Sequence, residues 1–134
     1  MTERRPQAEQ ETSPGYRVAI VGATGLVGRG VIEQLESRQF PVKELVAFSS
    51  ERSVGTRIPF NSREVEAQKL TKENYRGFDL VFITATNEIA LKWAPLFSKD
   101  GAWVIDTTSA HRMDPEVPLV VPEVNPQALD RFGT

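Results

Sequence analysis

The chain has 134 residues, with 16 basic and 18 acidic side chains and a net charge of -2 at pH 7. This length predicts one domain, and this charge does not favour nucleic acid or a membrane surface as a partner. Cysteine is absent and His111 is the single histidine, which excludes disulfides, cysteine catalysis within this chain, and thiolate or multi-histidine metal sites. No apolar run reaches the roughly 20 residues of a membrane span and no secretory signal is present, so we expect a cytoplasmic protein.

The N-terminal segment differs in character from the rest of the chain. Residues 1–15 are polar, contain two prolines, and show no apolar periodicity. Such a segment cannot bury enough apolar surface to offset the entropy that it loses on ordering. We therefore predict a disordered tail over residues 1–15 and a folded domain over residues 16–134.

A glycine-rich turn is the strongest pattern in the chain. The apolar residues 18–21, VAIV, lead into glycines spaced three apart: Gly22, Gly25 and Gly28. The helix predicted after them carries apolar residues on one face, at Val27, Val31, Ile32 and Leu35. A strand, tight turn and helix start of this kind presents backbone N–H groups and positive dipole potential to a phosphate, which predicts dinucleotide binding. The alternative is a plain strand-to-helix turn that needs glycine only for its backbone angles.

The strand pattern further along the chain indicates the fold class. Continuous apolar strands are predicted at residues 45–48, 80–84 and 102–105, and a hairpin at residues 58–60 and 65–70. Continuous apolar strands that alternate with helices are typical of a parallel sheet covered on both faces. We predict an α/β fold that is Rossmann-like and doubly wound, with a mostly parallel sheet and helices on both faces.

Two further helical segments are predicted between and after these strands. The first begins with a cap at Asn87 and runs to about Lys99, and Pro95 is expected to kink or break it. The second begins at Asn125-Pro126, where a cap residue precedes a proline in the first turn.

The segment after the second apolar strand bears on the choice between NAD and NADP. It reads Ser50-Glu51-Arg52-Ser53. Hydroxyls and an arginine suit a 2′-phosphate, because arginine offers several planar donors to phosphate oxygens. Glu51 favours the other cofactor, since a carboxylate here can accept from the ribose 2′-OH of NAD. We favour NADP, and a polar loop that binds no ligand is the alternative.

A second polar cluster follows the strand at residues 102–105. It reads Asp106-Thr107-Thr108-Ser109-Ala110-His111-Arg112. The cluster lies at the carboxyl end of the sheet, where ligands bind in open α/β folds, and its hydroxyls and arginine suit a phosphate or carboxylate. A solvated loop is an equal alternative, and Asp106 could instead cap local backbone. His111 could act as a catalytic base, although the sequence identifies no partner for it.

Four stretches together resemble the N-terminal, nucleotide-binding part of aspartate-semialdehyde dehydrogenases. They are residues 18–28 (VAIVGATGLVG), 40–45 (FPVKEL), 50–55 (SERSVG) and 104–126 (VIDTTSAHRMDPEVPLVVPEVNP). The last stretch is the most specific, because a strand ending in aspartate, then hydroxyl residues, an arginine and VPLVVPEVNP are hard to obtain by chance. The resemblance spans residues 16–132.

The resemblance implies a function and a set of site residues. Members of the family reduce L-aspartyl 4-phosphate to L-aspartate 4-semialdehyde with NADPH, on the route to lysine, threonine and methionine. The cofactor-binding residues that it implies here are Gly22, Thr24, Gly25, Leu26, Val27, Gly28, Ser50, Arg52, Ser53, Ala85 and Thr86. Arg112 would bind the phosphate of the substrate, and Asn125 lies near the family's active site without an assigned role. The full-length enzyme is expected to be a homodimer or a higher oligomer.

Departures from the family pattern limit what this chain can do. The loop Ala85-Thr86-Asn87 has no glycine, and Thr107 stands where the family often has asparagine. The family's nucleophile is a cysteine, and its acid/base histidine lies in a second domain that also forms the dimer interface. This chain has no cysteine and lacks that domain. Because a thiolate must attack the acyl phosphate before hydride is delivered, we expect NADP binding without dehydrogenase activity, and no catalytic or metal-binding residue here.

Two other classes of protein share part of this pattern. One is a stand-alone nucleotide-binding or interaction protein derived from the family, without the catalytic half. The other is a short-chain reductase with the same glycine spacing, which would need a Tyr-x-x-x-Lys pair. Tyr16 is followed four positions later by Ile20, and Tyr75 by Asp79, so the chain lacks that pair.

Overall fold

The computed structural model describes residues 15–120 and 123–132. The strands are β1 (Tyr16–Val21), β2 (Val42–Ser49), β3 (Arg57–Phe60), β4 (Arg63–Glu66), β5 (Gln68–Lys69), β6 (Leu80–Ile83) and β7 (Trp103–Asp106). The α-helices are α1 (Leu26–Ser37) and α2 (Asn87–Lys99). Short 3₁₀ helices cover Glu51–Ser53 and Pro126–Phe132, the second of them where the helical segment after Asn125 is predicted.

The main sheet has the order β5-β2-β1-β6-β7, and all of its strand pairs are parallel. The chain moves outward from β1 in one direction through β2 and in the other through β6, so the strand order reverses beside β1. The registers align Val21 with Phe48 on one side and with Ile83 on the other. The carboxyl ends of these strands therefore lie together at the switch point, the place where doubly wound sheets bind ligands.

Each face of the sheet packs against its own helix. On one face, Ala19 and Val21 of β1 pack in a buried cluster with Trp93 and Phe97 of α2. On the other face, Val18 and Ile20 share a cluster with buried residues of α1 and of the β3–β4 hairpin, namely Ile32, Leu35, Ile58 and Phe60. This arrangement confirms the predicted doubly wound α/β fold with helices on both faces.

The predicted hairpin is confirmed, and the segment after it has a second role. β3 and β4 pair antiparallel, with Ile58 opposite Val65. The chain then continues into β5, which pairs parallel with β2 and extends the main sheet by one short strand. Residues 65–70, predicted as a single strand, are thus divided between two sheets. Buried Ala67 separates β4 from β5.

The start of α2 differs from the prediction. Thr86, not Asn87, is the cap, because its Oγ1 accepts a hydrogen bond from the backbone N–H of Ile89 at 3.2 Å. Asn87 is the first helical residue, and its side chain contacts the segment after β7 instead. Of the kink or break predicted at Pro95, the break is wrong, since α2 continues to Lys99. Proline removes a single N–H donor, and the buried side chains around it, Trp93, Ala94 and Phe97, hold the helix against the sheet.

Part of the sheet on the α1 side remains open. Trp103 and Ile105 of β7 are 45% and 46% exposed. They pair with Leu80 and Phe82 of β6, which pack against the cluster on the α1 face, so both side chains lie on that same face of the sheet. Val27, predicted on the buried face of α1, is 52% exposed beside a groove of about 570 Å³ that Phe82 also lines. The open area is an apolar surface where a further packing element of a doubly wound fold would lie.

Candidate nucleotide-binding site

The first glycine of the turn is required by its backbone angle and by its neighbour. Gly22 has φ of 91°, in the left-handed region that favours glycine. A Cβ at this position would lie 2.9 Å from the Oγ1 of Thr84 and 3.0 Å from its carbonyl oxygen. Thr84 cannot easily move away, because its Oγ1 donates to the carbonyl of Val21 at 2.8 Å. The turn after β1 therefore packs directly against the end of β6.

The third glycine is required by the contact between helix and turn. A Cβ at Gly28 would overlap the carbonyl oxygen of Gly22 and lie 2.9 Å from the Cα of Ala23. Both neighbours are backbone atoms, so no side-chain rotation can make room. Gly25 differs, since a Cβ there would meet the nearest atom at 3.5 Å, an ordinary contact. The spacing thus brings α1 close to the turn, which sets where the N–H groups of the helix point.

The beginning of α1 is chemically suited to an anion. Its cap, Gly25, supplies no side-chain hydrogen bond, and its first turn contains no acidic residue. Leu26 is 91% exposed and Val27 52% exposed, so the first helical turn faces outward. The N–H groups of a first helical turn have no partner within the helix, and they add to the positive end of its dipole. This turn therefore offers donors to a phosphate without a competing side-chain oxygen.

Arg29 adds a positive charge that sequence reasoning missed. Its Nε donates to the carbonyl oxygen of Thr24, at 3.2 Å, and this bond joins the helix to the middle of the glycine turn. Thr24 is half-buried, while Arg29 is exposed. In the sequence, Arg29 is simply an arginine after Gly28, and arginine is common on exposed helix surfaces. Its contact with the turn could therefore not be inferred from residue spacing.

The predicted 2′-phosphate segment lies beside the glycine turn. The N–H groups of Gly22 and Ala23 both donate to the carbonyl of Phe48, at 2.9 and 3.0 Å, two residues before Ser50. Ser50 begins the 3₁₀ helix Glu51–Ser53, and its carbonyl accepts from the N–H of Ser53 at 2.9 Å. The structure thus joins the two predicted clusters through the end of β2.

Arg52 is the cation of this segment. It is exposed, and within residues 15–120 and 123–132 its guanidinium makes no hydrogen bond or ion pair. Ser53 is half-buried and Ser50 is exposed on either side of it. Glu51 is exposed as well and forms no ion pair with Arg52 in the described chain. The charge of Arg52 is therefore available to an anionic ligand.

The loop after β6 lies on the other side of the glycine turn. Thr84 contacts Gly22, as described, and half-buried Ala85 packs on the core below α2. The Oγ1 of Thr86 is occupied as the cap of α2. Two hydrogen bonds then join Asn87 to Ser109: the amide Nδ2 donates to the Oγ at 2.8 Å, and the N–H of Ser109 donates to the Oδ1 at 3.0 Å. This pair holds the loop after β6 against the segment after β7.

The segment after β7 folds around Asp106. The Oδ1 of Asp106 accepts from the N–H of Thr108 at 2.8 Å, and its Oδ2 lies 3.3 Å from the Nδ1 of His111. Thr107 donates both its N–H and its Oγ1 to the carbonyl of Ile83, at 3.0 Å each, which fastens the segment to β6. Asp106 thus does cap local backbone, and it is also the partner of His111 that the sequence did not reveal.

Arg112 and Asn125 lie near the same cluster. Arg112 is exposed and lines a small cavity of about 70 Å³ together with Asp106 and His111. Residues 117–119 form another wall of this cavity. Asn125 donates through its Nδ2 to the carbonyl of Leu119 at 2.9 Å, so it supports that wall.

The candidate residues form one row along the carboxyl edge of the sheet. In spatial order the row contains the segment after β2, the glycine turn after β1, the loop after β6 and the segment after β7. Neighbouring strands lie about 4.8 Å apart, so the row spans roughly 14 Å from β2 to β7. Among the described residues, no group of three or more His, Cys, Asp or Glu side chains could hold a metal ion, and no helix is long and apolar enough to cross a membrane.

A glycine-rich turn at the switch point of a doubly wound parallel sheet defines a nucleotide-binding domain of the Rossmann type. The sequence matches the family model described as semialdehyde dehydrogenase, NAD binding domain, over residues 17–132. The chain therefore belongs to the semialdehyde dehydrogenase family, as the NAD(P)-binding domain.

Curated relatives that match the chain are named aspartate-semialdehyde dehydrogenase. The chain is 54% identical over 119 residues to the aspartate-semialdehyde dehydrogenase of Aquifex aeolicus, covering 88% of this chain and 35% of the relative. It is 44% identical over 111 residues to that of Bacillus subtilis, covering 83% and 32%. The chain thus spans about a third of the length of the curated relatives that it matches.

Solved structures agree in fold with the sequence matches. Aspartate semialdehyde dehydrogenase II from Vibrio cholerae has a TM-score of 0.85 and is 43% identical, with 89% of this chain and 36% of that chain covered. Aspartate semialdehyde dehydrogenase with NADP from Candida albicans has a TM-score of 0.69 at 25% identity, covering 87% and 36%. These matches confirm the resemblance to the N-terminal portion of the family.

Proposed function

We propose that this chain is the NADP(H)-binding portion of an aspartate-semialdehyde dehydrogenase. The whole enzyme would reduce L-aspartyl 4-phosphate to L-aspartate 4-semialdehyde, releasing phosphate, in the biosynthesis of lysine, threonine and methionine. The observation that carries the proposal is the spatial order of the row. An arginine-bearing segment, a glycine-rich turn, a small-residue loop and a second arginine-bearing segment follow one another across the sheet. An extended dinucleotide and a phosphorylated substrate would meet these groups in that order.

The proposed cofactor contacts divide between backbone and side chains. The pyrophosphate would lie on the backbone of Gly22, Thr24, Gly25, Leu26, Val27 and Gly28. The bare start of α1 fits this group, and Gly28 lets the helix lie close against the turn, where a Cβ would overlap the carbonyl oxygen of Gly22. Ala85 and Thr86 would lie near the nicotinamide, although the Thr86 hydroxyl itself is occupied as the cap of α2. When bound, NADPH supplies the hydride.

NADP rather than NAD is proposed on the charge after β2. Arg52 has no carboxylate partner in the described chain, and hydroxyls of Ser50 and Ser53 flank it. Such a cation is stable in water without a partner. A 2′-phosphate bound beside it would accept several charge-assisted hydrogen bonds from its guanidinium. The relative from Candida albicans was solved with NADP, which supports the same choice.

The substrate contact proposed within this chain is Arg112. Its guanidinium lines the cavity after β7 and is free of any carboxylate partner in the described residues. It would bind the phosphate of the acyl phosphate. The chain has no cysteine, so the covalent step of the whole enzyme needs a nucleophile from outside these residues.

A chimera tests the proposed function directly. The isolated chain is expected to form no NADPH from aspartate semialdehyde, NADP and phosphate, because it has no thiolate nucleophile. Joining it to the remaining portion of the Aquifex aeolicus relative, which is 54% identical over the matched part, is expected to restore this phosphate-dependent reaction. The measurement is the increase in absorbance of NADPH.

The controls separate folding from function. Arg63→Ala in the chimera changes an exposed residue of the hairpin and should leave the rate unchanged, whereas Arg112→Ala should lower kcat/KM at least tenfold, since charged hydrogen bonds contribute about 1.5–3 kcal/mol. Turnover by the isolated chain would refute the predicted inactivity. A folded chimera that binds NADPH but does not react would favour a stand-alone nucleotide-binding protein instead.

A further inference from the structure

The carbonyl groups at the start of α1 are divided between backbone and side-chain donors. The carbonyl of Gly22 accepts from the N–H of Gly25 at 3.1 Å, and this bond closes the glycine turn. The carbonyl of Gly25 accepts from the N–H of Arg29 at 3.0 Å. The carbonyl of Thr24 accepts from a side chain instead, the Nε of Arg29, at 3.2 Å. Arg29 therefore binds two consecutive carbonyls, one with its backbone and one with its side chain.

This arrangement leaves a run of backbone donors open. In a regular helix the carbonyl of Thr24 would accept from the N–H of Gly28, four residues later. Here that carbonyl is bound by the side chain of Arg29. Within the part of the chain that the structure describes, several N–H groups around the turn make no hydrogen bond, namely those of Thr24, Leu26, Val27 and Gly28. The turn thus presents adjacent donors to a ligand.

The position of Arg29 on the helix is also unfavourable without an anion. The N-terminal end of a helix carries positive dipole potential, so a cation near it is less stable there than at the other end. Glu33 is exposed four residues later on α1, but it forms no ion pair with Arg29 in residues 15–120 and 123–132. Departures from local preference of this kind are expected at functional sites. Arg29 therefore adds a second indication that the turn binds an anion.

We propose that Arg29 is a positioning residue for the diphosphate of the nucleotide. By binding the carbonyl of Thr24, its side chain holds the glycine turn in the form whose N–H groups are open to the ligand. It also pairs a carbonyl oxygen whose partial negative charge would otherwise repel a phosphate nearby. The identity of the ligand rests on the proposed function. Since NADPH and NADH share the diphosphate, Arg29 acts on both cofactors, whereas Arg52 acts on NADPH alone.

Calorimetric titration of the full chain with three ligands tests this role. The ligands are NADPH, NADH and ADP, of which ADP carries the diphosphate but neither the 2′-phosphate nor the nicotinamide. Arg29→Ala is expected to raise the Kd for each of them about fivefold, as the loss of one ordinary hydrogen bond predicts.

Arg38→Ala is the matched control on the same helix. Arg38 is also exposed, and its Nε donates to the Oε1 of Gln34 at 2.8 Å, beyond the C-terminal end of α1. The variant removes the same charge and a comparable hydrogen bond, so it should leave all three Kd values unchanged. Urea denaturation of the three proteins checks that each is folded in the titrations.

Salt separates positioning of the turn from simple attraction of charges. In about 0.5 M NaCl the Debye length falls to about 4 Å, which screens an exposed charge but does not remove a hydrogen bond within the turn. The Kd of Arg29→Ala for ADP should therefore stay about threefold or more above that of wild type at this salt concentration. A ratio that fell to one would assign the effect to charge alone and overturn the positioning role.

Two further outcomes would also overturn the proposal. One is equal ADP binding by wild type and Arg29→Ala, and the other is an effect of Arg29→Ala on NADPH alone. The proposed function is judged by the cofactors. A wild-type chain that bound ADP but neither NADPH nor NADH would contradict that function, while the ADP comparison would still decide the role of Arg29. Absence of ADP binding by the wild-type chain would overturn that role as well.

Discussion

Gly28→Ala is expected to abolish measurable NADPH binding and to destabilise the chain by about 3 kcal/mol, the upper part of the usual range for overpacking. The added Cβ would overlap the carbonyl oxygen of Gly22 and approach the Cα of Ala23 to 2.9 Å. Backbone atoms cannot rotate away, so α1 must move off the turn. Its N–H groups then no longer meet a pyrophosphate, and each lost bond to a charged oxygen costs about 1.5–3 kcal/mol, or tenfold or more in Kd.

Gly30→Ala is the matched control on the same helix. A Cβ at Gly30 has no atom within 4 Å, and alanine is the better helix former by about 0.5–1 kcal/mol. This variant should therefore be slightly more stable than wild type and bind NADPH equally well. Urea denaturation and calorimetric titration measure both effects. If Gly28→Ala matched Gly30→Ala in stability and in Kd, the close contact between helix and turn would be needed neither for stability nor for NADPH binding.

Arg52→Ala is expected to raise the Kd for NADPH about 10- to 100-fold and to leave the Kd for NADH unchanged, since one charge-assisted contact contributes about 1.5–3 kcal/mol. Arg52 is exposed, so the difference should shrink as salt is added. Its matched control is Arg63→Ala, another exposed arginine, in β4. Unchanged NADPH binding in Arg52→Ala would show that the 2′-phosphate contact lies elsewhere.

Much of the fold could be predicted because its determinants are local. The buried run of β1, the glycine spacing and the apolar face of α1 are neighbours in sequence, so each implies the next. Gly22 illustrates this, since its left-handed φ of 91° follows from the tight turn itself. The parallel sheet followed from the continuous apolar character of its strands.

Features that depend on distant partners could not be predicted. Asn87 looked like the cap of α2, but its side chain is occupied by Ser109, 22 residues away, and Thr86 takes the capping role. Likewise, the continuation of α2 past Pro95 depends on tertiary packing of its buried face. The general physical reason is that weak local preferences yield to contacts that the fold creates.

The candidate site shows the same division. Residue types in the glycine turn and after β2 indicated the ligand chemistry, and the structure places those two segments side by side through the carbonyl of Phe48. The contact of Arg29 with Thr24 and the pairing of Asp106 with His111 carried no sequence signal. Both depend on how a turn closes, which residue spacing does not determine.

The most direct measurement is a calorimetric titration of the wild-type chain with NADPH and, separately, with NADH. The turn at Gly22–Gly28 should bind the part that both cofactors share, and Arg52 should add a contact to NADPH alone. NADPH is therefore expected to bind at least tenfold more tightly than NADH, as one charged contact of about 1.5 kcal/mol or more requires. Tighter binding of NADH, or no binding of either cofactor, would contradict the assignment of this chain as an NADP(H)-binding domain.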